Sequence, residues 1–303
     1  MTAESRTLLR LAIIALLAVL ISACSRADFA YRNADWLLEY YAWRSVRINE
    51  AQRDYWQPLM QATLQRHREE ELPLVIAWLD LSGRFIRETD AAPGAGCLVD
   101  GALLLAERHA RLAVELSAPL LADLDATQIS HLAGYTTQRQ QDAVKRYLDP
   151  DPEKRKVLRQ QRFLDRIEHW TGKLNDSQRK QVRDAVARIP DLSASWLAHR
   201  ARQTDTLLAM LGTGASAADL QKYLDEWWVQ REGTSAETLR QWRIARDEFV
   251  QLMDELATTL TRRQRARIED RIEELRADLA AFLPEQQLPT DLQAVPACAG
   301  AAI

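Results

Sequence analysis

The sequence contains few residues that break helices. Glycine and proline occur 10 times each in 303 residues, below their average usage of about 7% and 5%. No stretch shows the alternation of apolar and polar residues that is typical of a β-strand. A fold built from many short strands and turns is therefore excluded. The sequence predicts an all-α protein, an elongated multi-helix bundle.

The chain also lacks a strong excess of charge of either sign. Its formal net charge is −3, whereas a dedicated nucleic-acid-binding protein usually carries a strongly basic face. We therefore expect no nucleic-acid partner. The apolar run at residues 11–21 is shorter than the roughly 20 residues that a membrane-spanning helix requires.

Motifs of common catalytic and metal sites are missing. The sequence has no HExxH zinc motif, no GxSxG nucleophile elbow and no glycine-rich phosphate loop followed by lysine. His67 and Glu71 are four residues apart, which we interpret as a surface or half-buried contact and not as a metal site. We expect no catalytic residues, no metal and no cofactor. The five histidines are His67, His109, His131, His169 and His199.

The first 24 residues predict the compartment. Arg6 and Arg10 precede the apolar run, which is followed by small residues and Cys24. A basic start, a short apolar segment and a small-residue exit are typical of a secretory signal peptide, here residues 1–23. The ending ISAC resembles the bacterial lipobox, whose cysteine receives the lipid. The alternative is ordinary secretion with Cys24 as a free thiol. The resemblance to Gram-negative lipoproteins implies that Ser25 permits sorting to the outer membrane, with the protein facing the periplasm.

The mature chain is predicted to be one helical domain, residues 24–283, followed by an irregular proline-rich tail, residues 284–303. A loop is expected at residues 90–97, which read DAAPGAGC, and a helix at about 98–116 after it. Pro58 should kink or restart its helix, because it has no N–H and clashes with the preceding turn. In the next segment, Pro73 suits a first helical turn and Gly83 marks a stop.

One short pattern, L-[D/N/T]-x-x-Q, occurs three times. Aspartate, asparagine and threonine are good N-cap residues, and a glutamine three positions later can reach back to the N-cap N–H in a capping box. The pattern therefore predicts three helix starts. The residues concerned are Leu124, Asp125 and Gln128; Leu174, Asn175 and Gln178; and Leu260, Thr261 and Gln264.

Two family resemblances accompany this pattern. LTRRQ at 260–264 resembles the LTxxQ motif of the Spy/CpxP family of helical periplasmic chaperones and stress sensors, while LDATQ and LNDSQ differ from that motif at the second position. Over its length the chain is similar to a family of uncharacterised proteobacterial lipoproteins with a domain of unknown function. The segments that suggest it are YRNADWLLEYY, HREEELP and RFLDRIEHWTGKLNDSQ. This resemblance implies an anchored helical envelope protein and no known activity.

The N-terminal tryptophans allow two interpretations. Trp36, Tyr40 and Trp43 fall at helical spacing, which favours packing in the core together with Trp56 and Trp78. If these side chains are exposed instead, they form an apolar surface for a partner.

A cluster of four arginines at the start of the last helix also has two interpretations. The helix dipole disfavours cations at this end, so pairing of Arg265 with Glu269 and of Arg267 with Asp270 is the structural interpretation. The functional one is an anion-attracting surface for lipid head groups or an acidic partner. The cluster comprises Arg262, Arg263, Arg265 and Arg267.

Two cysteines remain after Cys24, namely Cys97 and Cys298. Both lie in loop-like stretches, and an oxidising periplasm permits a disulfide between them. The alternative is two free, partly buried thiols.

Together these features predict a non-enzymatic envelope protein, attached to the membrane by its lipid, that presents helical surfaces to a protein partner or client. A chaperone-like activity is included in this prediction. Two alternatives stay open. One is an enzyme or enzyme accessory whose site is not visible in the sequence, and the other is a structural envelope lipoprotein.

Overall fold

A computed structural model describes residues 26–88 and 94–283. This part of the chain is all-α, as predicted, and none of its helices is long and apolar enough to cross a membrane. The helices are α1 (Arg26–Arg32), α2 (Ala34–Val46), α3 (Glu50–Arg66), α4 (Leu72–Arg87), α5 (Ala95–Ala122), α6 (Ala126–Tyr147), α7 (Pro152–Thr171), α8 (Asp176–Arg188), α9 (Ser193–Gly212), α10 (Ala217–Trp228), α11 (Ala236–Thr259) and α12 (Arg262–Ala280). A π-helical turn, His67–Glu71, joins α3 to α4.

Helix α3, the π turn and α4 form one continuous helical segment. The expectation that Pro58 restarts the helix is wrong, because α3 runs through it to Arg66. Trp56 and Met60 on either side of Pro58 are buried, and this packing holds the helix together across the missing N–H. Pro73 lies in the first turn of α4, as predicted.

Gly83 does not end α4, which continues to Arg87. The residues around it, among them Leu81 and Phe85, are buried. Since helix α4 packs against α12 and α5, burial of its apolar side outweighs the cost of about 1 kcal/mol for glycine in a helix.

The predicted loop at 90–97 is shorter than expected at its C-terminal end. Helix α5 begins at Ala95, so residues 95–97 are helical. The N–H of Ala95 donates to Oδ1 of Asp254 on α11 (3.0 Å), and Ala95 is buried. A carboxylate from a distant helix thus satisfies one of the free donors at this helix start, which local sequence does not reveal.

The core has three main parts. The first lies between α2, α3, α6, α9, α10 and the C-terminal half of α5. The second lies between α7, α8 and α11, and the third between α4, α11, α12 and the start of α5. Helix α5 contributes to the first and third parts and therefore links them.

The apolar heptad positions of α12 pack as bundle contacts. Ile268 and Ile272 are buried in the third part of the core, and Leu275 and Leu279 pack against it. They face α4, with which α12 makes extensive contact.

Candidate functional site

The repeated pattern begins a helix at each of its three positions. Asp125, Asn175 and Thr261 are the N-cap residues of α6, α8 and α12. Each side chain accepts a hydrogen bond from the backbone N–H of the glutamine three residues later, at 2.8, 2.9 and 3.2 Å respectively. Each glutamine in turn accepts from the N-cap N–H, at 3.1, 3.0 and 2.9 Å. All three sites are complete capping boxes.

A fourth copy of the pattern begins α3, and the sequence analysis missed it. Residues 48–52 read INEAQ, with isoleucine in place of the leading leucine. Asn49 is the N-cap residue, and Asn49 and Gln52 form a capping box like the others. Allowing any large aliphatic residue at the first position of the pattern would have found it.

The four copies meet in two pairs, and the first pair joins α3 to α6. Nε2 of Gln52 donates to Oε1 of Gln128 (3.0 Å), and Nε2 of Gln128 donates back to Oε1 of Gln52 (2.6 Å). Each amide also donates to a carbonyl oxygen two residues before the partner's N-cap. Gln52 donates to Asp123 (2.8 Å) and Gln128 to Arg47 (3.1 Å).

The second pair repeats this arrangement between α8 and α12. Gln178 and Gln264 exchange two amide hydrogen bonds, both 3.0 Å. Gln178 donates to the carbonyl oxygen of Thr259 (2.9 Å) and Gln264 to that of Lys173 (3.2 Å), again two residues before the partner's N-cap. We call each arrangement a glutamine pair. In both, every glutamine uses both donors and accepts at least two bonds, and Gln264 accepts a third from the Thr261 hydroxyl (3.2 Å).

The glutamine pairs are buried. Gln52, Gln128, Gln178 and Gln264 are only 1–7% exposed. Because all their donors and acceptors are used inside the protein, these amides have no capacity left for a ligand. The glutamines of the motif therefore join helix starts in pairs.

The arginine cluster at the start of α12 does not form one surface. The guanidinium of Arg265 donates to the carbonyl oxygens of Ile86 and Ala257, at the ends of α4 and α11, so the expected pairing with Glu269 is wrong. Arg267 lies against Gly172, and no ion pair between it and Asp270 is found among the described residues. Arg262 and Arg263 are exposed. The Arg265 side chain thus satisfies carbonyl groups near the ends of two helices.

Of the three cysteines, the structure describes Cys97, near the start of α5. It is disulfide-bonded. The predicted partner Cys298 and the predicted lipidation site Cys24 lie outside the described residues, as do the signal peptide and the tail. The pairing of Cys97 with Cys298 stays a prediction.

The aromatic residues of α2 face solvent. Core packing was the favoured interpretation, and it is wrong for Trp36 and Trp43, which are 58% and 45% exposed. Trp56 on α3 is buried and its Nε1 donates to the carbonyl oxygen of Leu116 (2.9 Å). Helix α2 packs against α6, and its buried residues are Ala42 and Val46. The helical spacing of apolar residues does not by itself show which of two apolar stripes on a helix is buried.

The exposed aromatic side chains of α2 are held in place by their neighbours. Trp36 and Tyr40 stack with ring centroids 5.7 Å apart, and the Arg47 guanidinium lies 4.1 Å from the ring centroid of Trp43. We call Trp36, Tyr40 and Trp43 the aromatic face. Tyr41 beside it is also exposed.

A second polar cluster surrounds the π turn. Nε2 of His67 lies 2.9 Å from Nε2 of His109 on α5. Nδ1 of His67 lies 2.9 Å from the Tyr31 hydroxyl, and Nδ1 of His109 lies 2.5 Å from the carbonyl oxygen of Leu105. Burial, together with the neighbouring His109, lowers the pKa of His67 from 6.5 to about 4, so His67 is neutral near pH 7.

Glu71 ends the same π turn, and no hydrogen bond or ion pair joins it to His67 among the described residues. Its buried carboxylate accepts two hydrogen bonds from Arg108, the residue before His109 on α5, at 2.6 and 2.8 Å. Sequence reasoning missed His109 and Arg108, because each lies far along the chain from its partner.

The fold and these clusters define an all-α protein built on paired helix starts, with an exposed aromatic face and a histidine pair. A model of a family of unknown function, DUF6279, matches residues 44–233. The chain belongs to this family. No curated protein and no solved structure matches the chain.

Proposed function

We propose that this protein is a lipid-anchored protein of the bacterial envelope that binds another protein through its aromatic face. The main observation in support of this proposal is the exposure of Trp36, Tyr40 and Trp43 on one side of α2. Tryptophan and tyrosine dominate the energetics of protein interfaces. Because the Trp36–Tyr40 stack and the Arg47 contact already order these side chains, binding costs less conformational entropy.

The charge of α2 favours a protein partner over a lipid surface. Helices that lie on membranes are rich in lysine and arginine. Helix α2 contains Asp35 and Glu39 but only one basic residue, Arg44. The predicted lipid at Cys24 lies ten residues before α2 and would supply membrane attachment, leaving the aromatic face available near the membrane surface.

Site-specific photocrosslinking in cells tests this proposal. A photoreactive amino acid at Trp36 of the anchored chain should give a discrete protein adduct, and the adduct should disappear when Trp43→Ala is added. Trp196 on α9 is the matched control, since it is 52% exposed and lies on another helix. Lipid adducts alone, no adduct, or equal adducts from both positions would each reject a protein partner at this face.

A chaperone-like activity would use the same exposed side chains, because the glutamines of the repeated motif are buried. Suppression of aggregation of a model client should then fall in Trp36→Ala/Trp43→Ala and stay unchanged in Trp196→Ala. Many weak adducts from the Trp36 position in place of one discrete band would favour this alternative over a fixed partner.

A further inference from the structure

The hydrogen bonds of the histidine pair determine its tautomers. A carbonyl oxygen only accepts, so Nδ1 of His109 carries a proton and donates to Leu105. When His109 is neutral, its Nε2 is an acceptor, and the proton between the two rings lies on Nε2 of His67. Nδ1 of His67 is therefore an acceptor, and Tyr31 donates its hydroxyl proton to it.

We propose that His67 and His109 bind a divalent transition-metal ion of the Zn²⁺ class through their Nε2 atoms. Zinc–nitrogen bonds are about 2.0–2.1 Å long, so two cis nitrogen ligands lie about 2.9 Å apart at an angle of 90° and about 3.3 Å apart at a tetrahedral angle. The observed separation of the two Nε2 atoms is 2.9 Å. Neutral imidazole is a ligand that zinc, copper and nickel favour.

The hydrogen bonding of His109 matches that of a metal-binding histidine. Such a histidine almost always donates its other ring N–H to a carbonyl, a carboxylate or water, which fixes the orientation of the ring. His109 already does so through Leu105. The π turn supplies His67, and single π-helical turns are frequent at functional sites.

Metal binding requires only one proton to move. The proton on Nε2 of His67 leaves that atom, and Nδ1 takes up a proton in its place. The new N–H at Nδ1 donates a hydrogen bond to the Tyr31 oxygen, which changes from donor to acceptor. Both imidazoles stay neutral and no net proton is released from the pair. Among the described residues, no group of three His, Cys, Asp or Glu side chains is placed to hold a metal, so water would fill the remaining positions.

A competition titration tests the site directly. Untagged protein should take one Zn²⁺ per chain from a chromophoric chelator, and His109→Gln should weaken the affinity at least tenfold. His131→Gln is the matched control, because His131 is a lone histidine on α6 that contacts the carbonyl oxygen of Arg44. Tyr31→Phe should weaken zinc binding about tenfold, because the His67 ring loses its hydrogen bond to the tyrosine hydroxyl. No binding, or equal affinity in His109→Gln and wild type, would overturn the proposal.

A second measurement needs no variant and is therefore independent of folding defects. Two-bond ¹H–¹⁵N correlation spectra should show His67 protonated at Nε2 in the metal-free protein and at Nδ1 with Zn²⁺ bound. His109 should be protonated at Nδ1 in both states. If Zn²⁺ leaves the tautomer of His67 unchanged, the ion binds elsewhere and the proposal is wrong.

Discussion

At the scale of single residues, the four glutamines carry the most structural information. Each completes the capping box of its own helix and pairs with another glutamine. Each also donates to a carbonyl oxygen just before the partner helix. A buried amide is costly unless all its groups are bonded, and here all are. One residue type thus fixes both where a helix begins and which other helix start it meets.

A double-mutant cycle tests the pairing. Gln178→Ala should lower the free energy of unfolding by about 3 kcal/mol, because buried groups of Gln264 and the carbonyl oxygen of Thr259 lose their partner. Gln178→Ala/Gln264→Ala should cost less than the sum of the single variants. The control is Gln178→Ala/Gln128→Ala, from different pairs, which should be additive within about 0.5 kcal/mol. Urea unfolding gives these values, and additivity in both cycles would refute the coupling.

The capping role of Thr261 is tested separately. Thr261→Ala should cost about 1 kcal/mol, because the N–H of Gln264 loses its acceptor. Thr261→Ser keeps the hydroxyl and should be close to neutral. Equal unfolding midpoints for the alanine and serine variants would contradict the cap.

At the scale of helices, the π turn aligns two side chains with α5. His67 begins the turn and Glu71 ends it, and they contact the adjacent residues His109 and Arg108. A π turn inserts a local irregularity into the helix ladder. Here it lets one turn of the α3–α4 segment present both a neutral and an anionic group to the same neighbour.

The ion pair at this turn should respond unequally to the loss of either partner. The Glu71 side chain is 5% exposed and that of Arg108 is 35% exposed. Arg108→Ala leaves a carboxylate buried without its partner and should cost about 3 kcal/mol. Glu71→Ala should cost less, because the arginine can turn to water. Thermal and urea unfolding of both variants measure this order, and the reverse order would show that the carboxylate has other support.

At the scale of the whole molecule, attachment to the membrane rests on the sequence alone. The signal peptide and the ISAC ending predict a lipid on Cys24. Cys24→Ser should move the protein from the membrane fraction to a soluble or unprocessed form. Unchanged fractionation, with no lipid mass on the mature N-terminus, would reject lipidation.

The predicted disulfide between Cys97 and Cys298 also concerns the whole molecule, because it would join distant parts of the chain. The sequence has three cysteines, and a lipid on Cys24 would leave Cys298 as the partner of Cys97. A bond between them closes a loop of about 200 residues, for which chain-entropy models allow roughly 5 kcal/mol of stabilisation. Non-reducing peptide mapping should recover the two cysteine peptides linked. Recovery of Cys298 as a free thiol would exclude this pairing.

Local sequence by itself determined the helical class and three of the helix starts. Few glycines and prolines favour helices throughout, and a cap residue followed by glutamine acts within one turn, so its effect is visible in five letters. The family resemblance to a domain of unknown function also agrees with the matched family.

Tertiary structure decided what the local signals left open. Burial kept α3 helical through Pro58 and α4 through Gly83, because packing outweighs propensity. It also determined which stripe of α2 faces the core, and it brought Gln52 to Gln128 and His67 to His109 over 76 and 42 residues. Contacts of this kind depend on how whole helices pack, and no short stretch of sequence contains that information.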